Sequence, residues 1–135
     1  MECIFCKIIA GEIPCYKVYE DDKFLAFLDI YPVNPGHVLV IPKEHHDNIF
    51  TLPNEIASQY FVVVKRIAEI VKNTMNADGI NIGMNNLSAA GQVVFHSHIH
   101  VIPRFSGDGL NHWGNRDINE SEMSLIADKM KGFIK

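Results

Sequence analysis

The chain has 135 residues, 47% of them hydrophobic, which is enough for one globular domain with its own core and leaves no room for a second. A net charge of −4 and a pI near 5.9 argue against the clustered basic surface of a nucleic-acid binder. No apolar run approaches the ~20 residues that cross a bilayer, and the N-terminus lacks the pattern of a signal peptide, so we expect a cytoplasmic protein whose partner is a small molecule.

Cys3 and Cys6 form a C-x-x-C pair within an odd set of three cysteines, a pattern that points to metal or redox chemistry rather than a structural disulfide. The strand leading into a βαβ unit that a thioredoxin-like pair requires is absent, which favours metal; Cys15 reads as a buried thiol. Lys17–Glu20 and Phe24–Leu28 read as strands of a hairpin turning at Asp21 and Asp22. Pro32, Asn34, Pro35 and Gly36 make a loop, and His37 to Pro42 a third strand. From Pro53 to about Met75, Ile56, Tyr60, Val63, Ile67 and Ile70 recur in steps of four and three, predicting one long helix with a single apolar stripe. Gly79 to Met84 is a fourth strand, Asn85 to Gln92 a polar loop, and Val93 to Pro103 a fifth strand that the proline ends. Asn119 with Glu122 resembles a helix cap, and Met123, Ile126, Ala127 and Met130 give the last helix an apolar face. The expected architecture is α+β: a five-stranded antiparallel meander sheet, one long helix and a C-terminal helix.

His96, His98 and His100 alternate along the fifth strand. Because successive strand side chains point to opposite faces, the three imidazoles share a side. Three readings fit this pattern: a polar face without a role, a hydrolytic metal centre with an activated water, or covalent catalysis by an imidazole on a phosphoryl centre. Spacing alone does not separate the last two.

Other segments narrow the choice. His96-Ser-His98-Ile-His100-Val-Ile, together with Asp29-Ile30, Pro35-Gly36-His37-Val-Leu-Val-Ile-Pro42-Lys43, Asn85, and Gly91-Gln92, resembles the histidine triad family over residues 3 to 104, with every landmark in order. The resemblance implies a single domain over 1–135 that binds a nucleotide and hydrolyses it at the α-phosphate. His98 would be the nucleophile, giving a nucleotidyl-histidine that water then cleaves. His100 and His37 would contact phosphate or support the nucleophile, and Asn85, Gly91, Gln92 and the backbone at Val93 would cradle phosphate oxygens. Asp29 would hold the ribose hydroxyls, and Phe5, Ile8, Phe27, Leu28 and Ile30 would form the base pocket. Adenosine 5'-phosphoramidates are the favoured substrates. Arg104 is similar to the dinucleoside polyphosphate hydrolase branch, so those compounds are the second choice, and a non-catalytic nucleotide-binding module the third. Val93 stands where the phosphoramidase branch often carries Ser.

The resemblance further implies a structural zinc on Cys3, Cys6, His45 and His96, with His46 the competing ligand to His45. It also implies a homodimer, and leaves the segment 107–117, with His112 and Trp113, as either a tail reaching the partner's site or a surface loop.

Overall fold

The computed structural model describes residues 2–134. In chain order the elements are α1 (Ile4–Ile9), β1 (Lys17–Glu20), β2 (Phe24–Leu28), β3 (Val38–Pro42), α2 (Asn54–Met75), β4 (Gly79–Gly83), a 3-10 turn (Ser88–Ala90), β5 (Ile99–Arg104) and α3 (Glu120–Lys131). All pairings are antiparallel, in the order β1-β2-β3-β5-β4. The meander therefore holds through β1, β2 and β3. The α2 crossover then carries the chain to the far edge, and β5 returns between β3 and β4.

The central strands are apolar on both faces because both are covered. Phe24, Ala26, Val38, Val40, Ile99 and Val101 face α2 and pack with Ile56, Tyr60, Val64, Ile67 and Val71. Leu25, Phe27, Leu39 and Ile41 face the other way, where Phe5 of α1 covers them. Each such side chain contributes about 1.5–3 kcal/mol by leaving water. The buried Tyr60 hydroxyl is satisfied by donating to the Val40 carbonyl at 2.5 Å.

Helix α2 occupies the expected span and ends at Asn76 in the left-handed conformation (φ 50°) that favours Asn or Gly. Its stripe differs in its last turn: Val71 is buried and Ile70 faces outward. A period of 3.6 residues carries the face from Ile67 to Val71 rather than to the position three along.

The fifth strand is shorter than expected at one end and longer at the other. Only His100 of the three histidines lies inside it, because the β3 ladder stops at Val40↔Ile99. One step further, Pro42 has no N–H to give, its carbonyl is bound by the His96 ring, and the Ser97 amide turns to His46 O at 2.7 Å. Pro103 lies within β5, opposite Ile80 of β4. It is tolerated there because β3 has already ended at Val38↔Val101, and Asn34 Nδ2 donates to the Pro103 carbonyl at 2.9 Å on that open side.

Helix α3 is capped by Asn119 Oδ1, which accepts from the Glu122 amide at 2.8 Å, and none of its residues is buried. No helix among the described residues is long and apolar enough to cross a membrane.

Candidate active site and metal cluster

The strand register sets the site. β3 carries Leu39 opposite His100, and β4 ends with Gly83 on the other side of His100, so the loop leaving β4 runs beside the histidines. His37 immediately precedes β3 and is 2% exposed; His96 and His98 are also buried. His96, in a bend, and His98 lie outside the ladder, and their rings turn to different partners.

His98 Nδ1 lies 2.7 Å from the His96 carbonyl, which can only accept, so Nδ1 carries the hydrogen and Nε2 the lone pair. The Phe5 ring stands edge-to-face with the His98 imidazole, 5.2 Å away between centroids. The His100 ring also packs against it, at 5.2 Å. A neutral imidazole with a fixed, unprotonated nitrogen is the state a nucleophile needs. His100 Nδ1 meets His37 Nε2 at 2.9 Å, and His37 Nδ1 accepts from the Val33 amide at 3.1 Å. Burial holds the basicity of His37 below the ordinary imidazole value, and that of His100 down to about 4, with the neighbouring His98 and His37 adding to the effect.

His96 belongs to a second cluster. Its Nε2–H donates to the Pro42 carbonyl at 2.8 Å, so its Nδ1 lone pair points at Cys3 Sγ (3.4 Å), Cys6 Sγ (3.5 Å) and His45 Nδ1 (3.1 Å). His45 Nε2–H donates to Asp47 Oδ1 at 3.0 Å, which leaves its Nδ1 unprotonated as well. Two lone pairs facing each other at 3.1 Å, beside two thiols, repel unless a cation joins them. Zinc bonds of ~2.0 Å to nitrogen and ~2.3 Å to sulfur put tetrahedral donors ~3.3 Å apart for two nitrogens, ~3.5 Å for nitrogen and sulfur and ~3.8 Å for two sulfurs, and the nitrogen–nitrogen and nitrogen–sulfur spacings found are close to the first two. Without a cation, burial pushes the Cys6 thiol up to about 11, with Cys3 adding to the rise. Cys3, Cys6, His45 and His96 thus fit a metal with four protein donors and no open position. His46 is not in this set; its Nε2 lies 3.1 Å from Glu44 Oε1.

Asp29, His37 and His100 also gather within metal-binding distance of one another. Their protons argue the other way. His37 spends its Nδ1 lone pair on the Val33 amide, so its Nε2 carries hydrogen and has no lone pair for a metal.

The remaining expected residues divide. Phe5, Ile8 and Phe27 lie together on the histidine face of the sheet. Leu28 is on the opposite face, packed against the core under α2, and Ile30 is 68% exposed; the strand alternation separates Leu28 from Phe27. Asp29 Oδ1 accepts from the Tyr31 amide and its Oδ2 is 3.7 Å from His37 Nε2. Asn85 Nδ2 reaches the Gly91 carbonyl at 3.4 Å, and Val93 is exposed. Gln92 is buried and its amide is spent: Oε1 accepts from Leu87 N (2.8 Å), and Nε2 donates to Asp47 O (2.6 Å) and Val94 O (3.0 Å). It braces the loop, holding Leu87 at φ 73°, a conformation that costs a non-glycine residue about 1–3 kcal/mol. Arg104 is likewise occupied, donating to Asp108, Asn81 Oδ1 and Leu110 O.

Three contributors were not anticipated: the Val33 amide, the Pro42 carbonyl and Asp47. Only Asp47 had a readable signal, a carboxylate two residues after a suspected ligand.

The HIT domain family model matches residues 10–107. Among curated proteins, "Protein hit" of Bacillus subtilis is 54% identical over 80% of this chain and 75% of its own length. A Candida albicans protein named adenosine 5'-monophosphoramidase HNT1 is 44% identical over 96% of this chain and 89% of its own. The Arabidopsis thaliana adenylylsulfatase HINT3 is 40% identical over 92% of this chain and 62% of its own. The crystal structure of a HIT family member from Bacillus subtilis superposes with a TM-score of 0.92 and 43% identity, covering 100% of this chain and 99% of that one. A zinc-bound histidine triad family protein from Mycobacterium smegmatis superposes with a TM-score of 0.79 and 41% identity, covering 98% and 97%.

Proposed function

The chain belongs to the HIT domain family, and on that premise we propose that it is a nucleotide hydrolase that cleaves adenosine 5'-phosphoramidates or related nucleotidyl conjugates at the α-phosphate through His98. The observation that carries this reading is the 2.7 Å contact from His98 Nδ1–H to the His96 carbonyl. It leaves Nε2 as an unprotonated nucleophile held against Phe5 and His100.

Nε2 attacks phosphorus and the bond to the leaving group breaks. Water then attacks the same phosphorus, the P–Nε2 bond breaks, and nucleoside monophosphate leaves with His98 restored. Two easier displacements replace one difficult one. His100 sits beside the reacting centre, Asn85 and the Gly91–Val93 backbone line the loop next to it, and Asp29 takes the ribose end. Phe5, Ile8 and Phe27 offer an apolar wall for the base. The relatives named for adenylyl phosphoramidates and adenylyl sulfate share the adenylyl group and differ in leaving group, which supports an AMP-type electrophile.

Zinc on Cys3, Cys6, His45 and His96 would be structural, since four protein donors leave no site for water. It would tie α1, which carries Phe5, to the segment that carries the nucleophile. We read the protein as a cytoplasmic homodimer: edge strand β4 carries no charge, and Phe61 and Val62 on α2 are exposed. A light-scattering mass of one chain would overturn the dimer.

The reading is tested by hydrolysis of adenosine 5'-phosphoramidate by the wild type and by His98→Ala, each with zinc content measured. Turnover by the wild type alone supports it. Turnover of diadenosine polyphosphates in its place would favour the second choice, although Arg104, the residue behind that choice, has its guanidinium committed to Asp108 and Asn81. Nucleotide binding without any turnover would favour a binding module.

A further inference from the structure

We propose that the backbone amide of Val33 is a positioning group for the reaction: acting through His37, it fixes the protons of the His37–His100 pair so that His100 meets substrate as a neutral hydrogen-bond donor and not as a general acid.

Each step follows from which atoms can donate. A backbone N–H only donates, so the 3.1 Å contact from Val33 N to His37 Nδ1 requires a lone pair on Nδ1. The single hydrogen of His37 must then sit on Nε2. At 2.9 Å that hydrogen points at His100 Nδ1, which must accept, and the hydrogen of His100 is left on its Nε2. Neither ring can take a second proton without breaking one of these two contacts. Asp29 does not compete for the His37 hydrogen, because its nearer oxygen is 3.7 Å away.

The amide is held in place from several directions. The His37 amide donates to the Asn34 carbonyl at 3.1 Å, closing the turn that carries Val33. Asn34 Nδ2 is fixed in turn on the Pro103 carbonyl and on Asp108 Oδ2. The His37 ring is 2% exposed and has no room to exchange this partner for water. Burial also disfavours the charged form of both rings, which agrees with a pair that stays neutral.

Because protonation of His100 would break its contact with His37, His100 does not deliver the leaving group's proton. In the first step the phosphoramidate nitrogen takes a proton from solvent hydronium or a buffer acid, the Nε2–P bond of His98 forms, and the P–N bond breaks with its electron pair on the nitrogen, which leaves as the neutral amine; the proton returns to solvent when water cleaves the nucleotidyl-histidine. His100 steadies a phosphoryl oxygen by hydrogen bonding throughout.

The kinetic half of this inference rests on the reading of His98 as nucleophile; the proton positions do not. The first experiment is long-range 1H–15N NMR of the zinc-loaded full chain, labelled at histidine and assigned with single variants. His37 and His100 are each expected to show an unprotonated Nδ1 and a protonated Nε2 from pH 6 to 8. A protonated Nδ1 on His37, or either ring cationic in that range, would overturn the proposal even if the wild type hydrolyses phosphoramidates.

Replacing Val33 by α-hydroxyisovaleric acid exchanges the N–H for an ester oxygen. It is expected to shift the hydrogen of His37 to Nδ1 and lower kcat about tenfold, the worth of one neutral hydrogen bond, with KM within about twofold. Unchanged ring nitrogens would overturn the proposal. His37→Gln, whose amide can still donate to His100, is expected to keep about tenfold more turnover than His37→Leu. Equal loss in both variants would reduce His37 to packing. A wild type inactive on the phosphoramidate removes the reading of function and leaves the NMR result to decide the proton positions.

Discussion

Two histidine clusters meet at one short stretch of chain, and they differ in where their hydrogens go. In the cysteine cluster the far nitrogens of His45 and His96 donate to oxygens, those of Asp47 and Pro42, so both near nitrogens offer lone pairs to a common centre. In the triad cluster the far nitrogen of His37 accepts from the Val33 amide, so its near nitrogen offers hydrogen. The same side chain therefore offers a lone pair in one place and a hydrogen in the other, and the choice is made by the partner on the opposite side of the ring. His96 connects the two: its ring belongs to the first cluster and its carbonyl orients the His98 ring of the second.

The comparison breaks most sharply if the clusters are not separable. Cys6→Ala removes one of the four donors and is expected to abolish stoichiometric zinc and lower Tm by more than about 10 °C, read by metal analysis and calorimetry. Full zinc retention would contradict the cluster. His98→Ala should do the reverse, cutting turnover roughly a thousandfold while zinc content stays that of the wild type and Tm moves by less than about 3 °C. A co-operative loss of metal in that variant would mean that the clusters act as one.

Finer tests sharpen it. Asp47→Ala withdraws the acceptor that sets the His45 hydrogen, and competition with a chelator should show zinc held about 10- to 100-fold less tightly. His46→Ala should leave that affinity unchanged. For the triad cluster, His37 and His100 bind a proton less readily folded than unfolded, His100 down to about 4 against an unfolded value near 6.5. Acid therefore favours the unfolded chain: this contribution is complete above pH ~6.5 and is lost as pH falls toward about 4, costing on the order of 1–3 kcal/mol. Denaturant titrations of the wild type and His100→Asn should give converging stabilities at low pH, and parallel curves would refute the assignment.

Much of this was legible in the sequence, for local reasons. Short continuous apolar runs bounded by turn residues marked β2 and β3, a stripe of apolar residues marked α2, and Asn119 with Glu122 marked the start of α3. The alternation of His96, His98 and His100 brought three rings to the Phe5 side of the sheet even though only His100 joins the ladder and His96 lies in a bend. What was not legible depends on partners distant in sequence. The return of β5 between β3 and β4 is set by how two covered faces close, which no local pattern encodes. Gln92 looks like a phosphate ligand until its amide is found committed to Leu87, Asp47 and Val94, and Arg104 looks free until Asp108 and Asn81 are found around it. The placement of Leu28, by contrast, was legible locally: the alternation of its own strand sends it to the face opposite Phe27. The proton positions depend on the Val33 amide and the Pro42 carbonyl, and backbone atoms leave no mark in a residue pattern.

The central claim, that His98 Nε2 is the nucleophile while His96 serves a metal, is tested most directly by trapping the intermediate. Wild-type protein mixed with adenosine 5'-phosphoramidate in a single turnover, quenched at alkaline pH and examined by intact mass and peptide mapping, should carry one AMP moiety on His98, with zinc still bound before the quench. An adduct on His96 or His100, or turnover in which no covalent nucleotidyl-protein forms at any time, would contradict it.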